Sequence, residues 1–383
     1  MFDIPDLFAT SQTPGVRRPI FEISFGSGGG GGGPTDLLAS AAAAIGFGGS
    51  GGEDPWVRSV ASVSVEMGLA PQVDVAEIVL ASDSQSPPIA VDAEGSIALG
   101  YEDEGTTGVY TGKIESIIRS TRGPTRITIA NASSTLAALR TEQSYEDQGA
   151  GDVVEDLAGR AGVSTGNVVA GPALAFIILD GGSNAWEHIA RLARVSGHQA
   201  RITVDNELDF APVDDGEPVQ TFSYGVDVLH LERREAAASF DNVTIVGEGA
   251  AGSDGENAWN WLVKQPSAVT GAAGQGSRAR GFVDRALRSA EAASSAAQAL
   301  AAAAVRAAKV GTLIVPGAPT VTPATNIAIA GSTGGVFDGT YLVTRVRHVF
   351  SKRTGFRTHI TFAGAGGGAG SAGGLLAAIG GLL

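Results

Sequence analysis

Apolar and polar residues alternate with period two over two long stretches of the chain. In Ser59–Met67, Ala61, Val63, Val65 and Met67 fall on one side and Ser62, Ser64 and Glu66 on the other. That pattern predicts a strand with one face buried and one face wet. Val73–Leu80, Ser96–Gly100, Gly108–Ser120 and Thr125–Asn131 continue the series, with Gly68 and Pro71 in the first turn. Short strands at regular turn spacing predict an antiparallel barrel or sandwich. The period returns near the end. Thr312–Val315 and Asn326–Ala330 precede a long hairpin of Thr340–Phe350 against Phe356–Phe362, joined by the basic connection Ser351–Gly355. On its first strand Leu342, Thr344, Val346 and His348 share one face, and Tyr341, Val343, Arg345 and Arg347 the other.

Between these stretches the period shifts towards 3.6. Asp152 is placed to cap a helix carrying Val153, Val154, Leu157, Ala158 and Ala161, with Gly162 to stop it. A second helix is expected to start near Ser183 or Asn184, Asn184 with Glu187 three residues on giving a capping-box pattern, and Trp186, Ile189, Ala190 and Ala193 form its apolar stripe up to Gly197. A hairpin of Ala200–Val204 and Glu207–Phe210 follows. Phe240–Glu248 and Ala258–Lys264 read as strands. Phe282–Lys309 reads as an Ala-rich helix about 42 Å long, whose small face permits close approach but supplies little burial energy. An early strand is expected at Pro19–Phe25, before a flexible insertion in which Gly26–Gly33 and Gly46–Gly52 flank Leu37–Ile45.

Two blocks carry a resemblance to a known family. In the last stretch the ordered set is Pro316, Gly317, Pro319, Asp338, Gly339, Tyr341, Val343, Val346, His348, Gly355, Phe356 and Thr358. In the middle it is Asp152–Gly162, Trp186–Gly197 and Leu208–Pro212. Together they resemble the phage late-control D family, the baseplate hub proteins of contractile tails and the hub half of type VI secretion spike proteins. Ser59–Leu80 and Tyr110–Asn131 are similar to that family's first tube-forming barrel, and in the family a similar helix precedes the last strands. The resemblance covers roughly residues 56–362.

It implies a mainly β (α+β) fold: two tube-type antiparallel β-barrels, a small α/β insert and one long Ala-rich helix. The implied divisions are a strand and Gly-rich insertion (1–55), a first barrel (56–148) and an α/β module (149–235). A second barrel with helix 282–309 (236–363) and a Gly-rich apolar tail (364–383) complete them. The implied function is a structural baseplate hub of a contractile phage tail or phage-tail-like injection system. Three copies would form a ring adapting the six-fold tail tube on one face to the three-fold spike on the other, with a tape-measure protein or cargo in the lumen.

Composition narrows the chemistry. The chain has 383 residues, 55 of them Gly, a net charge of −14 and no Cys. An acidic surface argues against sequence-specific nucleic-acid binding and predicts an acidic or neutral lumen. Without Cys there are no disulfides or thiolate metal sites. The start, MFDIPDLF, lacks the basic residues of a signal peptide, and the apolar run Leu375–Leu383 is too short to span a bilayer. Synthesis in the cytoplasm without membrane insertion, then assembly into a tail baseplate or injection particle, is therefore expected.

The Gly26–Gly33 run meets a G-x-G-x-x-G pattern trivially and lacks the Lys-Ser/Thr of a phosphate loop. The five His show no metal-ligand spacing, although His348 and His359 lie on strands that should pair. Glu102, Asp103 and Glu104, like Asp214 and Asp215, sit in Gly-flanked turns suited to solvated acids. No catalytic residue, cofactor or metal is assigned. A spike-associated peptidoglycan-degrading enzyme and a Gly-rich surface adhesin are the alternatives, to be decided by turnover and glycan- or cell-binding assays. The candidate interface residues are Trp56, Trp259 and Trp261, which read as either core or contact anchors. With them stand Leu375, Leu376, Ile379, Leu382 and Leu383, either a frayed end or an apolar plug for a partner.

Overall fold

The computed structural model describes residues 17–26, 55–81, 89–214, 216–247, 269–284 and 286–365. Its first strands are β1 (Pro19–Phe25), β2 (Val60–Gly68), β3 (Val75–Leu80), β4 (Glu94–Tyr101), β5 (Gly105–Ile118) and β6 (Thr125–Ala130), with a short helix α1 (Pro55–Ser59) before β2. They pair antiparallel in the order β1-β4-β5-β6-β3-β2. The alternation holds with one local change. A register shift between Val60 and Ser62 turns Val60, rather than Ala61, into the core beside Val63, Val65 and Met67. One extra residue in a strand reverses the facing of what precedes it.

The last strands are β17 (Lys309–Pro316), β18 (Asn326–Ala330), β19 (Gly339–Ser351) and β20 (Gly355–Gly364). Strand β19 is long enough to have two neighbours on one side: its first residues pair with β18 and its later ones with β2. The two groups of strands are thereby joined in one sheet of twelve, completed by β12 (Gln220–Ser223) on β18 and β13 (His230–Glu235) on β17. A bulge between Val343 and Arg345 breaks the expected alternation in β19. Tyr341, Leu342 and Val343 are all buried, and the in-out order resumes with Val346, His348 and Phe350 inside. A single core runs from Ile23 through Ile78 and Ile127 to Ile360 and Phe362.

The second core belongs to the middle of the chain: α2 (Ala132–Ala138), β7 (Gln143–Gly149), α3 (Ala150–Ala161), β8 (Thr165–Val168), β9 (Ala173–Leu179), α4 (Ala185–Ser196), β10 (His198–Ile202) and β11 (Leu208–Pro212). Helix α3 begins at Ala150, so Asp152 is not its cap. The Asp152 carboxylate sits one turn in and accepts the Gly149 N–H at 2.8 Å, while Gly162 ends the helix at φ 68°. Asn184 caps α4 as expected, its side chain accepting from Glu187 N–H at 2.9 Å and Glu187 answering from the other side.

Residues grouped by sequence with the last barrel also pack here. Strands β14 (Asn242–Gly247), β15 (Thr270–Gly274) and β16 (Ala279–Asp284) form a small sheet under helix α5 (Ala290–Ala307). Val243, Ile245, Leu287 and Ala293 share the core of Leu157, Trp186 and Ile189. The Ala-rich helix is therefore shorter than expected, 18 residues behind an N-cap Ser289, because Phe282–Asp284 pair with β14 as strand. At about 27 Å it spans the small sheet. It lies close: a Cβ built on Gly271 would come within 2.1 Å of Ala293 and Ser294 backbone atoms. An all-Ala face against a Gly is what that spacing needs. The expected strand Ala258–Lys264 and the Gly-rich insertion around Leu37–Ile45 lie outside the described residues.

Candidate functional site

Of the candidate interface residues, Trp56 is described, while Trp259, Trp261, Leu375, Leu376, Ile379, Leu382 and Leu383 lie outside the described residues. Helix α1 holds Trp56 half-buried against the main core, its ring 5.4 Å from that of Phe25. Its indole thus has a packing role at the start of β2.

The joint between the twelve-stranded sheet and the α/β module is polar and closed. Asp74, 1 % exposed, sits in the β2–β3 turn. One oxygen accepts the Gly68 N–H at 2.8 Å and the other accepts from Asn131 Nδ2 at 3.0 Å. The Asp74 N–H donates to Ser133 Oγ at 2.8 Å, and that hydroxyl donates to Asn131 Oδ1 at 2.6 Å. Burial pushes the Asp74 carboxyl up to about 7 against the two donors that favour its charged form, and nearby Glu66 adds to the rise. Trp186 Nε1 donates to the Gln72 carbonyl at 2.8 Å, and Ala70 N–H to the Ala200 carbonyl at 2.9 Å. On the other side Arg201 is held by Asp209 and reaches Thr322 Oγ1 at 3.0 Å and the Pro323 carbonyl. Every atom of the Asp74 carboxylate is engaged within the fold, which suits a tie between units rather than a group that meets substrate.

His348 is fully buried, Nδ1 3.0 Å from Thr358 Oγ1 on the paired strand, and burial holds it down at about 4, the Val321 backbone pulling the other way. His348 and His359 do not meet: His348 stands opposite Thr358 and His359 opposite Arg347, on the two faces of the hairpin. Glu102, Asp103 and Glu104 form ion pairs with Arg17 and Arg18 at the sheet edge. Among the described residues no three His, Asp or Glu converge as metal ligands, and no helix is long and apolar enough to cross a membrane.

Sequence reasoning missed the Asp74 tie. Its partners lie 57 and 59 residues away, so no local spacing could reveal it. The second feature was legible as composition only. The outer face of β19–β20 carries Arg345, Arg347, Arg357 and His359, with Lys352 and Arg353 at the tip. Arg345 pairs with Glu66, and Arg347 donates to Ser64 Oγ at 3.1 Å. His359 is held below its ordinary value by burial and then by Arg347 and Arg357 beside it.

The fold of this chain is similar to those of several phage tail proteins. The 43 kDa tail protein of prophage MuSo2 from Shewanella oneidensis superposes with a TM-score of 0.61 at 13 % identity, over 91 % of this chain and 98 % of that one. The tail protein from Neisseria meningitidis MC58 gives 0.60 at 14 %, over 80 % and 92 %. The E. coli c3393 protein is a type VI secretion component similar to the T4 tail proteins gp27 and gp5. It gives 0.54 at 13 %, over 79 % and 73 %. No curated protein sequence matches the chain. The sequence pattern described as the Alg8 N-terminal domain matches residues 85–352, and the chain belongs to that family.

Proposed function

We propose that this protein is a structural baseplate hub of a phage tail or phage-tail-like injection system, working as a ring of three copies without catalysis. The observation that carries the reading is the shared fold with tail proteins over nearly the full length of both chains. The late-control D motifs support it, lying on the β19–β20 hairpin and on helices α3 and α4. Two tube-like sets of strands per subunit, joined through β2 and β19, would present six near-equivalent surfaces in a three-fold ring. A six-fold tube and a three-fold spike could then stack on opposite faces. The use of buried polar groups as ties, Asp74 above all, fits a wall that must hold shape under load. The lumen would be acidic or neutral, so that cargo slides past.

Native mass spectrometry of the purified full chain, alone and with tube and spike proteins of the same particle, tests this. Three copies and co-assembly are expected. A strictly monomeric protein with affinity for neither partner overturns the reading.

A further inference from the structure

The charge of this chain is unevenly placed. The hairpin Gly339–Gly364 holds four Arg, one Lys and no acid. Removing its five positive charges from the net −14 leaves −19 on the rest of the chain. The sheet sorts these side chains onto one surface. Val346, His348, Phe350, Phe356, Thr358 and Ile360 point into the core, and Arg347, Arg357 and His359 point out. Arg347 faces His359 directly across the ladder, and Arg357 lies two residues along the same strand and face. The next residue across from His359 is the apolar Ile314, so no acid answers them from β17. On the other side Glu66 stands opposite Arg347 in the ladder, but its carboxylate is taken by Arg345, and Arg347 donates to the Ser64 hydroxyl. Arg353 and Arg357 have no acid partner among the described residues, and Lys352 donates to the Val57 and Arg58 carbonyls. This is a solvent-facing cationic surface on an anionic protein.

We propose that this face is a subunit contact, in which the β19–β20 hairpin of one copy docks on an acidic surface of the next. The inference rests on the ring reading above and names the surface that closes it. Guanidinium forks suit carboxylates well. The partner always at hand in a ring is another copy, whose remaining residues sum to a formal −19. A contact between two different patches of the same chain repeats head to tail, and it closes as a ring when the rotation between copies is a whole fraction of a turn. A polyanion such as DNA is the less fitting occupant, because the rest of the molecule would repel it over the same range.

Sedimentation velocity of the full chain at about 50 and 500 mM NaCl reads this out, with the Arg347→Glu/Arg357→Glu pair and with Arg357→Glu alone, which breaks no ion pair in the fold. Circular dichroism and melting serve as the check on folding. The wild-type oligomer is expected to weaken at high salt. Each folded variant should need at least roughly tenfold more protein to assemble, Coulombic contacts being replaced by repulsion. Carboxyl–amine cross-linking of mixed heavy- and light-isotope protein should join Lys352 to an acid of another copy. An oligomer indifferent to salt and to both variants overturns this contact while leaving the ring reading intact. A wild-type chain that never assembles overturns both. Duplex DNA binding at physiological salt that the variants abolish, with assembly unchanged, also overturns the contact.

Discussion

The two most deeply buried titratable groups should pull the pH dependence of stability in opposite directions. Asp74 has a folded pKa of about 7 against an ordinary 3.8. The folded protein therefore holds that proton more tightly than the unfolded chain. The stability this gives is complete below pH ~4 and is lost as pH rises to about 7. His348 is the reverse, about 4 against an ordinary 6.5, so its contribution is present above pH ~6.5 and is lost as pH falls to about 4. At about 1.4 kcal/mol per pH unit the totals are about 4 kcal/mol for Asp74 and about 3 kcal/mol for His348. Over the shared window of roughly pH 4.5 to 6.5 the two slopes nearly cancel in the wild type, and single substitutions uncover them. Urea unfolding at pH 4.5, 5.5 and 6.5 should show the wild type losing stability relative to Asp74→Asn as pH rises, by about 2–3 kcal/mol across the window. Relative to His348→Gln the wild type should gain a similar amount. Comparing each variant with the wild type removes the common background of surface carboxylates. If the Asp74→Asn difference is flat with pH, the carboxyl is not kept protonated by burial and the reasoning fails.

Other expectations concern single contacts. Gly271→Val should overpack the α5 interface, where an added Cβ meets Ala293 and Ser294 backbone. A loss of about 1–3 kcal/mol in thermal melts is expected, and an unchanged melting temperature would rule out so close a packing. Asn184→Ala removes the α4 cap and should cost about 1 kcal/mol, with faster amide exchange at Glu187, while Asn184→Asp should come close to the wild type. Trp186→Phe keeps an aromatic ring in the core but removes the indole's extra volume and leaves the Gln72 carbonyl without its donor. It should destabilise by about 1–3 kcal/mol, and a neutral result would mean water replaces the bond.

What the sequence determined by itself are the features set by neighbours along the chain. Period-two runs located β2, β3, β6, β18 and β20 to within a residue or two, because one face of each is buried and the other wet. Asn184 with Glu187, and the glycines at 162 and 197, marked helix ends through local hydrogen bonding and a left-handed turn. The family motifs placed the fold among tail proteins for the same reason, being short ordered spacings within one hairpin and two helices. Tertiary structure decided what depends on distant residues. The bulge at Thr344 falls between the stretch of β19 that pairs with β18 and the stretch that pairs with β2, and Tyr341, Leu342 and Val343 are buried together beside it. Phe282–Asp284 became strand rather than helix because β14 offered an open edge. The tie at Asp74 joins residues nearly sixty apart, and the cationic face exists because the sheet turns Arg347, Arg357 and His359 to one side. Local pattern fixes which face of an element is apolar, and only the packed chain settles what that face meets.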